Sequence, residues 1–272
     1  MRRVLLTLIL GLLVIVSLGG AAACQSSSQN EADKILRQVR QDIQNEMGHL
    51  DQDLAAAAQK LSGLDLTGLQ ARSILKELLQ NRSYTVDTCT LNRTGKILVV
   101  EPAAFHEFEG SDISHQEQVI RLFRTQKPAL SQNFQAVEGF EAADMEHPVF
   151  SHDKEIIGSV SVLFKPEVLL GNIISPAVKD TSFDIWAMQL DGRILYDVDI
   201  EEIGINLFVD PMYQSYPQLI ALGREISAKA SGKGQYEFLD TGLKQTVKKE
   251  AIWATFAMHG TEWRLVLIQV IS

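Results

Sequence analysis

The chain has 272 residues, 46% hydrophobic and 22% charged, with a formal net charge of -9. That is enough apolar material to fill one large core or two small ones and too much for a disordered chain, while the acid excess, with no run of Lys or Arg, excludes nucleic acid as a partner. Cys24 and Cys89 are the two cysteines, so a disulfide framework and a CxxC metal or redox pair are excluded as well.

Met1-Arg2-Arg3, the apolar run Val4 to Leu18 and the small residues Gly19-Gly20-Ala21-Ala22-Ala23 predict a secretory signal over residues 1–23. Cys24 comes next, followed by Gln25-Ser26-Ser27-Ser28-Gln29-Asn30. This resembles a lipoprotein processing site, at which the thiol is acylated and residues 24–30 become a tether, although Ala21 stands where such sites usually carry Leu. The alternatives are cleavage after Ala23 into a secreted chain, or retention of the apolar stretch as an anchor near the roughly 20 residues a bilayer requires. All three place the body outside the cytoplasm.

Apolar residues then recur at Leu36, Val39, Ile43, Met47, Leu50, Leu54, Ala57 and Leu61 in steps of three and four, which predicts one amphipathic helix from Glu31 to Leu61, about 45 Å long. Its stripe serves packing along the body, with pairing to a second copy as the other use of such a pattern. Gly63 ends the helix, and Thr67 with Gln70 reads as a capping box starting a second helix that runs to about Arg82, so that residues 31–83 form a helical lead.

Two hairpins follow, one a copy of the other. Val86 to Leu98 aligns without a gap with Phe183 to Leu195: Asp87 matches Asp184, Cys89 matches Trp186, Gly95 matches Gly192, Lys96 matches Arg193 and Ile97 matches Ile194. Each is an apolar run, a turn needing a positive φ at glycine, and a second apolar run. A repeated hairpin with similar elements after it predicts two tandem α/β modules, 84–174 and 175–272. In the first, Ala103 to Phe123 mixes loop and helix, strands are expected at Ala129 to Val137, Phe140 to Ser151 and Glu155 to Phe164, and Glu167 to Ile174 is a short helix before a linker at Ser175-Pro176. In the second, Tyr216 to Ala230 is helical, Ser231-Gly232-Lys233-Gly234 is a turn into Gln235 to Phe238, Asp240-Thr241-Gly242 turns again into Gln245 to His259, and Glu262 to Ile271 closes the sheet. No second membrane span or cytoplasmic signalling region is expected after it.

Asp191-Gly192-Arg193-Ile194-Leu195-Tyr196-Asp197, Ile203-Gly204, Asn206-Leu207-Phe208, Lys249-Glu250-Ala251-Ile252-Trp253 and Trp263-Arg264-Leu265-Val266 resemble the membrane-proximal half of double Cache sensor domains. Gly95-Lys96-Ile97, Gln126-Lys127-Pro128-Ala129-Leu130-Ser131, Pro148-Val149 and Ile156-Ile157-Gly158 resemble the membrane-distal half. The resemblance implies an α+β fold with a long N-terminal helix followed by two tandem PAS-like (Cache) modules with antiparallel sheets. It also implies a small molecule bound in the distal module, outside the membrane. The distal half lacks the Arg-x-Trp-Tyr run of relatives that grip amino acids, which argues against that ligand.

Within the distal module, His115, Gln118, Arg121, Arg124, Asn133, Phe134, Asp144 and His147 are the candidate ligand-binding residues. An arginine would grip a carboxylate in two-pronged fashion, Phe134 would supply a wall, and Asn133 or a histidine would fix orientation, so a small organic acid is the expected ligand. The opposing expectation is that the arginines lie on a solvated helix face and His147, before Pro148, caps a strand. His147 and His152 do not have metal-pair spacing. Trp186, Tyr196, Tyr236, Trp253 and Trp263 are read first as core, with a second pocket as the alternative. Cys89 is expected to be buried and inert. Asn81-Arg82-Ser83 and Asn92-Arg93-Thr94 match the glycosylation pattern. No catalytic constellation, metal or cofactor is expected. The functional expectation is an extracytoplasmic, sensor-type lipoprotein that signals through, or delivers to, a membrane partner. The rival is a structural or partner-regulating lipoprotein that dimerises through its long helix without a ligand.

Overall fold

The computed structural model describes residues 18–80, 82–240 and 245–271, with side chains from residue 29 onward. The leader through residue 17, the Cys24 side chain, Asn81 and the turn after Asp240 therefore lie outside the described residues. Helix α1 spans Leu18–Leu61, so its backbone takes in the stretch 24–30 expected as a tether. Nothing between Ala21 and Met47 is Pro or Gly, and nothing there stops a helix. Among the described residues no helix is long and apolar enough to cross a membrane.

Helix α2 (Leu69–Leu78) is shorter at both ends than the sequence suggests. Its cap is Gly68, with no side-chain cap bond, because the Thr67 hydroxyl donates instead to Asp65 Oδ1 at 2.7 Å. The first sheet follows: β1 (Thr85–Asn92), β2 (Ile97–Glu101), β3 (Ala129–Leu130), β4 (Phe134–Gln135), β5 (Glu141–Phe150) and β6 (Ile156–Phe164), with helix α3 (Glu117–Thr125) inserted before β3. Its order is β2-β1-β6-β5-β3, with β4 beside β5. Helix α4 (Pro166–Val178) runs through Ser175 and Pro176, where a linker was expected. The second sheet comprises β7 (Phe183–Gln189), β8 (Ile194–Tyr196), β9 (Gly232–Asp240), β10 (Gln245–Met258) and β11 (Thr261–Val270), in the order β8-β7-β11-β10-β9, with α5 (Pro217–Ala228) before β9. Every pairing in both sheets is antiparallel. Leaving β4 aside, the two strand orders are the same path.

The hairpins share their backbone hydrogen bonds. Gly95 and Gly192 have φ of 77° and 94°. The carbonyl of Gly95 accepts from Ile113 N–H and that of Gly192 from Leu207 N–H, each at 2.9 Å, and Gly110 N–H to Ile97 is repeated by Gly204 N–H to Ile194. A strand alternates its side chains between two faces, so each sheet has an inner and an outer surface. Inner residues such as Met145, Val160, Val162, Ile185, Ile252 and Leu267 join the buried stripe of α1, Leu36 through Leu61, in one continuous core that also takes in α2 and α4. The stripe that the sequence offered for a second copy is thus covered by the chain's own two sheets.

Candidate functional site

The outer faces carry the cavities. Strand register and the shared turn bonds make Asp87, Cys89, Ile97, Val100, Ile113 and Leu163 of the first lobe equivalent to Asp184, Trp186, Ile194, Asp197, Leu207 and Ile268 of the second; the first set lines one cavity and the second set lines the other. The fold therefore repeats a hollow at the same place, between the outer face of the hairpin strands and the segment crossing over them. Their contents differ. The first cavity measures about 30 Å³, room for little more than water, and the second about 240 Å³.

In the second lobe, Trp186 on β7, Tyr236 and Phe238 on β9, and Tyr213 before α5 form the aromatic walls. The carboxylates Asp184, Asp197, Asp199 and Glu202 share the lining with a single cation, Lys249, whose Nζ lies 5.8 Å from the centre of the Phe238 ring. Burial, reinforced by Glu202, pushes the Asp197 carboxyl up to about 7. Burial also raises Glu202, even though it accepts a 2.7 Å hydrogen bond from the Tyr213 hydroxyl. Burial likewise raises the Tyr213 and Tyr236 phenols. Such a site is aromatic and carries more acidic groups than basic ones, which suits a cation that draws those carboxyls into their ionised form.

The first cavity is also acidic. Asp87 and Asp144 are buried, burial raises both carboxyls, and Asp87 Oδ2 has no hydrogen-bond partner. Of the eight residues singled out in the sequence, the structure brings three together here: Phe134 and Asp144 line the hollow, and Gln118 Nε2 reaches Asp144 at 3.5 Å. The other five go elsewhere. His115 and Arg124 are exposed. Arg121 donates to the Leu130 carbonyl at 2.5 Å and pairs with Glu117. Asn133 bridges the lobes, its N–H donating to Gln189 and its side chain to Glu141. His147 lies on the inner face of β5, three residues from Asp144 and therefore on the opposite side of the strand. It does not meet His152, which lies against Gly63; its Nε2 is 2.6 Å from Asp51 Oδ1 on α1. Among the described residues no arginine lines either cavity.

Cys89 is buried, 3.2 Å from the Ser161 hydroxyl, and burial pushes its thiol well above the usual range, as expected of an inert cysteine. Of the five aromatics, Trp186, Tyr236, Trp253 and Trp263 are buried in the core, Trp186 and Tyr236 line the second cavity as well, and Tyr196 packs half-buried against the core. Sequence reasoning missed Glu202, Tyr213 and Phe238, which come from the crossover and from an edge strand. Asp197 closes the stretch Asp191 to Asp197 that carries the resemblance, but it was not among the candidate site residues.

Residues 45–166 match the model of the HK/GC/chemotaxis protein-like sensor domain. No curated protein sequence matches the chain. Among solved structures, an extracellular ligand-binding receptor from Desulfohalobium retbaense is 37% identical with a TM-score of 0.72 over 86% of this chain; the chain spans 39% of that receptor's length. The ligand-binding domain of the amino acid chemoreceptor PctC from Pseudomonas aeruginosa, in complex with GABA, is 16% identical with a TM-score of 0.63, covering 89% of this chain and 99% of that one. The ligand-binding domain of the Campylobacter jejuni chemoreceptor Tlp3, in complex with 4-methylisoleucine, is 13% identical with a TM-score of 0.64, covering 90% and 91%. The chain has the fold of these extracellular ligand-binding domains, and its residues 45–166 are similar to the sensor domain of that family.

Proposed function

We propose that the chain works outside the cytoplasm as a lipid-anchored sensor module that binds a small amine in the cavity of its second lobe, without turning it over, and whose occupancy is read by a membrane partner. One observation carries the ligand class: a 240 Å³ hollow walled by four aromatic rings holds four carboxylates against one lysine. An ammonium group there gains both ring faces and counter-charge. An organic acid, the class expected from Arg121 and Arg124, would meet like charge. GABA and 4-methylisoleucine, bound by domains of the same fold, both carry an amino group. Both also carry a carboxylate, which Lys249 could receive. The anchoring part of the reading rests on Cys24 and the stretch before it.

The test is thermal unfolding of the chain with a panel of small amines, amino acids, organic acids and neutral metabolites. A ligand at a hundredfold excess over its dissociation constant stabilises by about 2.7 kcal/mol. Amines should do so, and Trp186→Ala or Asp197→Asn should abolish the effect; stabilisation by acids alone would overturn the reading. A second reading keeps the ligand in the first lobe, favoured by the partnerless oxygen of buried Asp87 beside Asp144. In that case Asp144→Asn, and not Asp197→Asn, removes the response.

A further inference from the structure

Away from both cavities, three side chains from three separate parts of the fold converge on one point. Asp51 stands on α1, four residues after Met47 and three before Leu54, on the edge of the stripe that packs against the sheets. His147 comes from the inner face of β5 in the first sheet. His259 comes from the two-residue turn between β10 and β11 in the second. Their Nε2 atoms lie 2.6 Å and 2.5 Å from the same Asp51 Oδ1, and all three atoms lie within 4.8 Å of one another. The two imidazole rings meet edge to face, 5.8 Å apart. We propose that Asp51, His147 and His259 bind a divalent transition-metal ion of the zinc class, clamping the long helix to both sheets.

The donor set selects the ion. Two imidazole nitrogens and one carboxylate oxygen suit zinc and its neighbours, whereas magnesium and calcium require a shell of oxygens. The geometry is close. Zinc sits roughly 2.0–2.2 Å from such atoms, and a tetrahedral arrangement spaces them a little over 3 Å apart, so the carboxylate withdraws by about an ångström and the two imidazole nitrogens settle to the same spacing from within 4.8 Å. His147 is 9% exposed and buried against the core, while His259 and Asp51 are 24% and 27% exposed, leaving one side open for entry and for a water ligand.

The backbone gives a further reason to look at His259. Its φ is 45° and that of Gly260 is 86°, a turn with positive φ at both central residues, where Asn-Gly is the favoured pair. A histidine in that first position accepts a conformation better suited to asparagine and directs its ring at Asp51.

The same fact supplies a clean variant. His259→Asn removes the ligand and keeps the turn. Zinc chloride and magnesium chloride are titrated into the full chain while thermal unfolding is followed, and cobalt(II) is added separately to read its visible absorption. The expected result is a zinc-dependent rise in Tm, none with magnesium, and a cobalt spectrum of low-coordinate character. His259→Asn should unfold within a few degrees of the parent without metal, yet bind zinc at least about tenfold more weakly, as should Asp51→Asn. No Tm response to zinc, or an equal response in His259→Asn, would overturn the site.

Discussion

Asp197 stands half-buried on the cavity wall beside Glu202, with its carboxyl raised from 3.8 to about 7. Below about pH 4 the folded and unfolded chains both hold this proton. As pH rises toward 7 the unfolded chain releases it and the folded chain keeps it, so stability falls across that window and levels off above it. Asp197→Asn is therefore expected to raise stability at pH 8, by up to about 4 kcal/mol and by less to the extent that solvent reaches the carboxyl, and to change little near pH 4, checked by urea unfolding at the two values. The same linkage gives binding a signature. An ammonium ligand favours the ionised carboxylate, so calorimetry at pH 6.5 in buffers of different ionisation enthalpy should show proton release, and Asp197→Asn should remove it. Single residues were the least legible level of the sequence. Asp144 and His147 were grouped because they are near in the chain, although a three-residue offset on a strand sends them to opposite faces. Asp51 and His259 were invisible for another reason: they meet across 208 positions, and only the packing of helix and sheets brings them together.

Elements were read more faithfully, and their errors have local causes. Gly232 and Gly234 were taken for a turn, yet both lie in β9. A Cβ at Gly232 would stand 2.2 Å from Trp253 Cζ2, and one at Gly234 2.4 Å from Leu222 Cδ1. These glycines make room for large neighbours on the strand beside them and the helix above, which no single-sequence turn signal reveals. Gly232→Ala should consequently cost about 1–3 kcal/mol by displacing the Trp253 ring, seen as a lowered urea midpoint with a changed tryptophan emission. Helix α4 passing Pro176 has a similar lesson. Proline near the C-terminal turn of a helix gives up one hydrogen bond without ending the packing of Leu169, Leu170 and Ile174 beneath it. The hairpins were read correctly because their signal is intrinsic: a positive-φ glycine between apolar runs is demanded by the turn itself.

At the scale of the molecule the duplication was legible from Gly95 and Gly192, but the difference between the two hollows was not, since cavity volume depends on how crossover segments settle rather than on pattern. What unites the lobes is α1. Its stripe, Val39 through Leu61, is shared by the inner faces of both sheets, so neither sheet has a private core on that side. Direct links add to this: Arg193 of the second hairpin pairs with Glu141 of the first sheet, and the Thr261 hydroxyl donates to the Leu130 carbonyl. Such an arrangement should unfold as one unit in spite of its two-module plan. The chain provides its own reporter, because Trp186, Trp253 and Trp263 all belong to the second sheet, whereas far-ultraviolet circular dichroism sees both. The two signals should trace coincident urea transitions. Leu50→Ala, which hollows the shared core, should lower both midpoints together, by about 2–5 kcal/mol in stability. If tryptophan emission held its midpoint while the dichroism shifted, the lobes would be independent domains and the helix a tether between them rather than their common core.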